Sequence, residues 1–293
     1  MKVVVLGSGA GGGFPQWNCR CPNCALAWAG DPRAPWRTQS SIALVDDDEA
    51  VLVDASPDLR QQLAAIPALH PTAARTSPLR AVVLTSGEID HIAGLAHLRE
   101  ARELTVLGTA PVLEAIASNV MFRLPAIRHV AVTGEPIATE RSFRMRLFPA
   151  PGKVPLYLEE ESVATAIESG ETSGLAVESR GGLLVYIPGC AMLSETVRQE
   201  AERADIVLFD GTLFTDDEML AAGLSAKTGR RMGHMPMTGP GGSLDWLASL
   251  PAARKVYTHI NNSNPVLISH SPERRRVESA GIEIAHDGME IAL

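Results

Sequence analysis

Short apolar runs rich in valine, isoleucine and leucine recur along this chain, and each stops at a polar loop. Lys2–Leu6, Leu79–Leu84, Leu104–Leu107, Ile206–Phe209 and Lys255–His259 have this form. Runs of this length suit strands better than helices, and near-continuous apolarity marks strands buried on both faces. Ser40–Val45 and Ala50–Val53 flank the acidic turn Asp46-Asp47-Asp48-Glu49, and Leu175–Val177 and Leu183–Ile187 flank Gly181-Gly182, which predicts two hairpins. Helices are expected over Asp58–Ala65 (capped by Asp54 or Ser56), from His91 past Leu95 and Leu98, and over Pro111–Asn119, Ser194–Arg203, Glu218–Ala222, Leu244–Leu250 and Pro272–Ala280. Residues 130–150 read as a strand pair and 151–162 as a Pro-rich acidic loop. Ile282–Ile284 and Met289–Leu293 close the chain. Strand–loop–helix units in this order predict a layered α/β or α+β fold. No linker, repeat or composition break divides residues 1–293, so one domain is expected.

Composition narrows the partners. Aromatics are 4% of the chain, so the core must be aliphatic. The net charge of −8 argues against nucleic acid and anionic membranes, which attract basic patches. The run Arg274-Arg275-Arg276 follows Ser271-Pro272-Glu273 and reads as a solvated first helical turn. No apolar stretch is long enough to span a bilayer. The apolar run at the N-terminus is too short for a signal-peptide core, so a cytoplasmic protein is expected. A homodimer stays open.

Three of the four cysteines fall in Cys19-Arg20-Cys21-Pro22-Asn23-Cys24. In a reducing compartment C-x-C-x₂-C points to a metal knuckle rather than a disulfide framework. Zinc prefers four ligands, so a distant residue must complete the set. A site with only sulfur and nitrogen ligands would be structural. The bland alternative is three cysteines buried as small apolar groups.

A second set of residues stands at strand ends. Asp90-His91 ends the loop Ser86-Gly87-Glu88-Ile89, Asp210 ends the run Leu208-Phe209, His234 lies in Gly233-His234-Met235-Pro236, and His259 opens Ile260-Asn261-Asn262-Ser263-Asn264. Carboxylates and imidazoles suit a catalytic metal. Each has a bland reading alone, as a cap or a packed ring; together they place one ligand type at each strand end. His70, His97, His129, His270 and His286 read as structural, although His270 is an alternative fourth zinc ligand. The stretch Gly7-Ser8-Gly9-Ala10-Gly11-Gly12 fits G-x-G-x-x-G, but Gly13-Phe14-Pro15 and the cysteines follow where a dinucleotide fold needs a helix.

Several strings together resemble the pyrroloquinoline quinone (PQQ) biosynthesis protein B family of the metallo-β-lactamase superfamily. They are Gly11-Gly12-Gly13-Phe14-Pro15-Gln16-Trp17-Asn18-Cys19, Arg37-Thr38-Gln39-Ser40-Ser41-Ile42-Ala43, Ile89-Asp90-His91, Phe209-Asp210-Gly211-Thr212, Asp216-Asp217-Glu218-Met219, Met232-Gly233-His234, His259-Ile260-Asn261-Asn262 and Asp287-Gly288-Met289. The resemblance runs from Val3 to Ile291. It implies an αββα sandwich, two facing sheets flanked by helices. It also implies iron- and oxygen-dependent hydroxylation of the tyrosine ring of a Glu–Tyr-derived peptide intermediate, or carriage and export of the cofactor. Where hydrolytic members of the superfamily carry H-x-H-x-D-H, this chain has Ser86 and Glu88 in place of the first two histidines. Gly189-Cys190 stands where they place a bridging aspartate. One cleft metal is therefore expected rather than two. The expected sets are Cys19, Cys21, Cys24 and His259 for a structural zinc, and Asp90, His91, Asp210 and His234 for a catalytic Fe(II). Glu88 and Ser86 would face the substrate, and Arg37 and Lys227 would bind its carboxylates. A metallohydrolase using metal-bound hydroxide is the competing enzyme class.

Overall fold

The structure is a computed structural model that describes residues 1–132, 134–137, 142–160 and 163–293. The first six strands are β1 (Lys2–Gly7), β2 (Ser41–Asp46), β3 (Glu49–Val53), β4 (Leu79–Val83), β5 (Leu104–Gly108) and β6 (Ile127–Ala131). The next six are β7 (Arg144–Pro149), β8 (Ser173–Ser179), β9 (Gly182–Ile187), β10 (Ile206–Asp210), β11 (Arg254–Thr258) and β12 (Glu283–Ile284), and β13 (Glu290–Ala292) ends the chain. Among the described residues they form two sheets, ordered β13-β1-β2-β3-β4-β5-β6 and β12-β11-β10-β9-β8-β7. Both expected hairpins are present: β2 pairs antiparallel with β3, and β8 with β9.

The strands explain why the apolar runs are continuous rather than alternating. Val3 and Val5 point to the core between the sheets, where they meet Leu184, Tyr186 and Leu208 of the second sheet. Val4 and Leu6 point the other way, to Leu59, Leu95, Val112 and Ile116 of the covering helices. The outer face of the second sheet packs Val185, Val207 and Phe209 against Val197, Leu247 and Val277. Every central strand is thus covered twice, which requires apolar residues at both parities. The result is the expected four-layer αββα order.

Three local expectations need correction. The two named strands near 130 and 145 are not partners: β6 is the outer neighbour of β5, whereas β7 pairs with β8 in the other sheet, and the pairing described within 130–150 is the antiparallel bridge of Ile137 to Met145. Sequence proximity suggested a hairpin, but the chain crosses between layers here. Positions 133 and 138–141 of that stretch, and 161 and 162 of the acidic loop, lie outside the described residues. The helix after His91 is short, Ile89–Ile92, and tightens into a 3₁₀ turn over Ala93–Leu98. Gly94 lets this turn approach the loop after β3, since a Cβ there would stand 2.2 Å from the Ser56 carbonyl oxygen. Finally, of the two expected caps Asp54 plays no such part, while the Ser56 hydroxyl accepts from the Asp58 amide at 3.1 Å at the start of the helix Leu59–Ala65. Asp54 is buried and turned inward.

β3 runs parallel to β4, and β10 lies parallel between β9 and β11. The loops that follow β3, β4, β9, β10 and β11 meet at one edge, the place where α/β sheets usually bind ligands. Among the described residues no helix is long and apolar enough to cross a membrane.

Candidate metal centre

Two anchors of this edge have unusual backbones. Asp54, just after β3, has φ 60°, and His259, just after β11, has φ 56°. Residues with a Cβ adopt this left-handed conformation only where surrounding contacts over-determine it. Both do so here. Asp54 accepts hydrogen bonds from the Thr85 amide at 2.8 Å and the Thr85 hydroxyl at 2.8 Å, and lies 3.0 Å from His91 Nδ1. His259 Nδ1 is 2.9 Å from the Thr212 hydroxyl, and the next residue, Ile260, donates to the Ser8 carbonyl and accepts from the Ala10 amide of the glycine loop, each at 2.9 Å. That loop leads into a turn and the cysteines, and the first helix begins only at Pro22, so it does not cradle a dinucleotide.

Three imidazoles stand side by side. The His91 and His259 ring centroids are 5.4 Å apart, and those of His234 and His259 are 5.1 Å apart and nearly parallel. Each Nδ1 has a protein partner: Asp54 for His91, Thr212 for His259, and Asp210 at 2.7 Å for His234. Holding Nδ1 in this way puts a proton on Nδ1 and aims Nε2 at the cavity, where it becomes a ligand atom once its own proton is lost, as metal-binding histidines require. Asp90 completes the group, its Oδ2 lying 3.2 Å from His259 Nε2 and 3.8 Å from His91 Nε2. The donor atoms of Asp90, His91 and His259 lie within 4.8 Å of one another, so this set fits one divalent cation. Asp210 forms a similar cluster with His234 and His259. Its oxygens are, however, already occupied, by the Cys190 amide, the Thr212 amide and hydroxyl, and His234. Asp210 is wholly buried and positions His234 rather than facing the cleft.

The charges reinforce one another. Burial opposes a charged His91, but the Asp54 and Asp90 carboxylates outweigh it and push the ring up to about 9. Burial likewise opposes an ionised Asp90, yet His91 and His259 hold it well below the usual carboxylate range. His234 is raised and Asp210 lowered against their burial, each by the other. Protons on these rings stand where a cation would balance the carboxylates.

The histidines and Asp90 line a cavity of about 420 Å³. Ser86, Glu88, Lys153 and Lys227 also line it. Glu88 is paired with Lys153 and accepts from the Leu156 amide at 3.1 Å. Glu159 sits 3.1 Å from Lys153, 2.7 Å from Lys227 and 3.5 Å from Arg231. The two lysines of the cavity wall are thus each paired with a glutamate of that wall, and Arg231, outside the lining, adds a third cation beside Glu159.

Arg37 does not belong to the cavity. It is buried and donates to Ser8 Oγ at 3.2 Å and the Ala285 carbonyl at 2.6 Å. Beside it, Asp287 accepts from Ser8 and Thr38, tying the C-terminal Asp-Gly-Met segment to the first loop. The role expected of Arg37 in carboxylate binding is thus replaced by a structural one.

His259 also departs from its expected place. With Nδ1 on Thr212 and Nε2 beside Asp90, its ring is turned away from the cysteines. Cys19, Cys21 and Cys24 do converge, their sulfurs within 4.8 Å of one another and none in a disulfide. The side chain that meets them is Asn262, whose amide nitrogen is 3.2, 3.8 and 3.3 Å from the three sulfurs in chain order. Burial pushes the Cys24 thiol up to about 12.

Sequence reasoning missed Asp54, Thr85, Lys153, Thr212 and Asn262. Asp54 had the same signal as Asp210, an acid directly after an apolar strand, but was read as a helix cap. Thr212 joins Asp210, His234 and His259 by one hydroxyl, a role that no local pattern marks.

A family model for the beta-lactamase superfamily domain matches residues 49–260. Coenzyme PQQ synthesis protein B of Methylobacterium nodulans is 49% identical over the full length of both chains. The crystal structure of zinc-bound PqqB from Methylobacterium extorquens superposes with a TM-score of 0.96 at 46% identity, again over the whole of both chains. A diphosphatase of the PhnP family shares the fold, with a TM-score of 0.73 at 20% identity over 100% of this chain and 97% of that one. With its four layers and a cluster of aspartate and histidine at the strand ends, the chain has the metallo-β-lactamase fold, and it belongs to the coenzyme PQQ synthesis protein B family of that superfamily.

Proposed function

We propose that this chain hydroxylates the tyrosine ring of a Glu–Tyr-derived precursor in PQQ synthesis, using one ferrous ion and oxygen. The observation that carries the proposal is the donor set: two imidazoles and one carboxylate, Asp90, His91 and His259, converging at the cavity. Two histidines and a carboxylate with open positions are the ligand set of non-heme ferrous oxygenases. Of the expected set Asp90, His91, Asp210 and His234, the proposal keeps Asp90 and His91, adds His259, and gives Asp210 and His234 other roles. When bound, such an ion supplies the activation of oxygen towards an electron-rich ring.

The chain's own residues have the remaining work. His234, held by Asp210, presents its Nε2 edge to the cavity, where it takes up the phenol proton of a bound tyrosine ring as a general base. Lys153 and Lys227 line the same wall and hold the substrate's carboxylates. Leu156 and Met232 narrow the cavity and exclude water from the ring. Ser86 and Glu88 occupy the positions where hydrolytic members keep ligands of another metal, and Glu88 is engaged by Lys153, which supports a mononuclear site over a dinuclear hydrolase.

The test is oxygen uptake by protein prepared without air, loaded with ferrous iron and given a Glu–Tyr-containing peptide and a reductant. Uptake that depends on both iron and peptide, with hydroxylated product, is the expected result. Two tightly bound zincs with ester or phosphodiester cleavage, or tight PQQ binding without turnover, would overturn the proposal.

A further inference from the structure

We propose that Glu159 stands in the cavity as a built-in carboxylate, and that a carboxylate of the substrate binds Lys153 and Lys227 by taking its place. The exchange rests on the proposed role of these two lysines as the holders of substrate carboxylates, and it makes Glu159 a residue that sets how strongly an acidic substrate binds. One oxygen of Glu159 is 2.7 Å from Lys227 Nζ and 3.5 Å from Arg231, and the other is 3.1 Å from Lys153 Nζ. Only 9% of its side chain is exposed. Burial opposes its charge, but Lys227 and Lys153 outweigh burial and hold the carboxyl below the usual range. A carboxylate shared by two ammonium groups on a cavity wall has the surroundings a bound acid would have, and here the chain itself supplies it.

An ammonium group donates three hydrogen bonds. Lys153 Nζ already has three acceptors around it: Glu88, the Val154 carbonyl at 3.2 Å and Glu159 Oε1 at 3.1 Å. A new carboxylate reaches this nitrogen only by displacing one of them. The Val154 carbonyl belongs to the adjacent residue and moves with Lys153. Glu88 is held on both oxygens, by Lys153 and by the Leu156 amide at 3.1 Å. Glu159 Oε1 is the weakest of the three. It is buried and makes no hydrogen bond of good geometry among the described residues, so charge alone keeps it beside Lys153. Glu159 also sits on a segment with little regular structure. The chain borders the cavity at Lys153, Leu156 and Glu159, with one 3₁₀ turn over Leu156–Leu158 and with Leu156, Tyr157 and Leu158 exposed. This turn is tied to the loop after β4 through Glu88 and through the Tyr157 hydroxyl, which donates to the Gly87 carbonyl at 2.7 Å. Among the described residues the Glu159 side chain, beyond the turn, is tied only to the three cations. It can therefore leave them without unmaking the turn.

Calorimetric titration of zinc-loaded, full-length protein tests the exchange without turnover, because zinc has no redox chemistry. The probes are the dipeptide L-glutamyl-L-tyrosine and its bis-amide, which lacks both carboxylates. Glu159→Gln keeps the shape of the side chain and removes its charge. It is expected to bind the dipeptide about fivefold more tightly than the parent, with no gain for the bis-amide. Glu159→Ala is expected to move dipeptide binding in the same direction, which covers any disturbance that glutamine brings to the wall. If Glu159 instead holds the lysines in place for the substrate, both variants bind the dipeptide more weakly. Unchanged or weaker dipeptide binding in both variants, with binding still weakened by Lys227→Met, would overturn the exchange and leave the role of the lysines intact. An equal gain for dipeptide and bis-amide would also overturn it, since the gain would then come from space rather than charge. Dipeptide binding that ignores Lys227→Met, or that is absent from the parent and every variant, would overturn the role of the lysines and the exchange with it.

Discussion

Asp54→Asn is the most direct probe of how the cleft is tuned. Asp54 accepts from the Thr85 amide and hydroxyl and holds His91 Nδ1 at 3.0 Å. Asparagine tolerates the left-handed φ of 60°, so the backbone is kept. Its oxygen must stay on the Thr85 amide, which turns its NH₂ towards Thr85 Oγ1 and His91 Nδ1. His91 then accepts at Nδ1 and carries its proton on Nε2, the atom that faces Asp90 and the cavity. A metal must displace that proton or wait for the minor tautomer. Loss of such a supporting partner weakens metal binding by about 10–100-fold, or about 1.4–2.7 kcal/mol. The assay is competition between the cleft and a chelator of known affinity at pH 8, with metal counted per chain. An affinity within about twofold of the parent, in a folded protein with unchanged stoichiometry, would refute the orientation argument.

The proton balance of the same ring makes a pH prediction. His91 is raised to about 9, so its stabilising contribution to the metal-free fold is complete below about pH 6.5 and is lost as pH rises through about 9. Melting temperature of metal-free protein should fall across that window, while affinity for a divalent metal rises across it because fewer protons compete. Thr212→Val removes the hydroxyl shared by Asp210, His234 and His259, and should cost about 1–3 kcal/mol in denaturant unfolding and weaken cleft metal binding. Arg37→Met leaves buried Asp287 without its neighbouring cation and should cost about 3–5 kcal/mol of stability, with cleft metal affinity of the folded protein unchanged. Lys227→Met should raise the KM for a carboxylate-bearing substrate about tenfold with kcat little changed, read in the oxygen-uptake assay.

Some of this architecture is legible along the chain because the signals are local. A strand buried on both faces must be apolar at every position, and Val3–Leu6 or Ile206–Phe209 announce this without reference to anything distant. C-x-C-x₂-C is equally local, since three thiols within six positions meet almost wherever the rest of the chain goes. The pair Asp90-His91 belongs to the same class. Arg37 and His259 show the limit. Both are polar residues near apolar segments, where charge and ligand type are all that the local sequence offers. Which partner each meets depends on residues more than two hundred positions away or on another strand end, Ala285 for Arg37 and Asp90 for His259.

Apolar periodicity, glycine turns and clustered thiols thus determined on their own that this chain builds a layered α/β fold with candidate metal-ligating residues in the loops at its strand ends. Only the tertiary structure decided how those ligands are shared out. His259 goes to the cleft, Asn262 meets the thiols, and Asp54 and Asp210 stand behind the histidines rather than in front of them. The physical reason is that a ligand's role is set by where its lone pairs point. That direction comes from a left-handed residue at a strand end and from hydrogen bonds across the sandwich, neither of which is encoded in the spacing of residues along one strand.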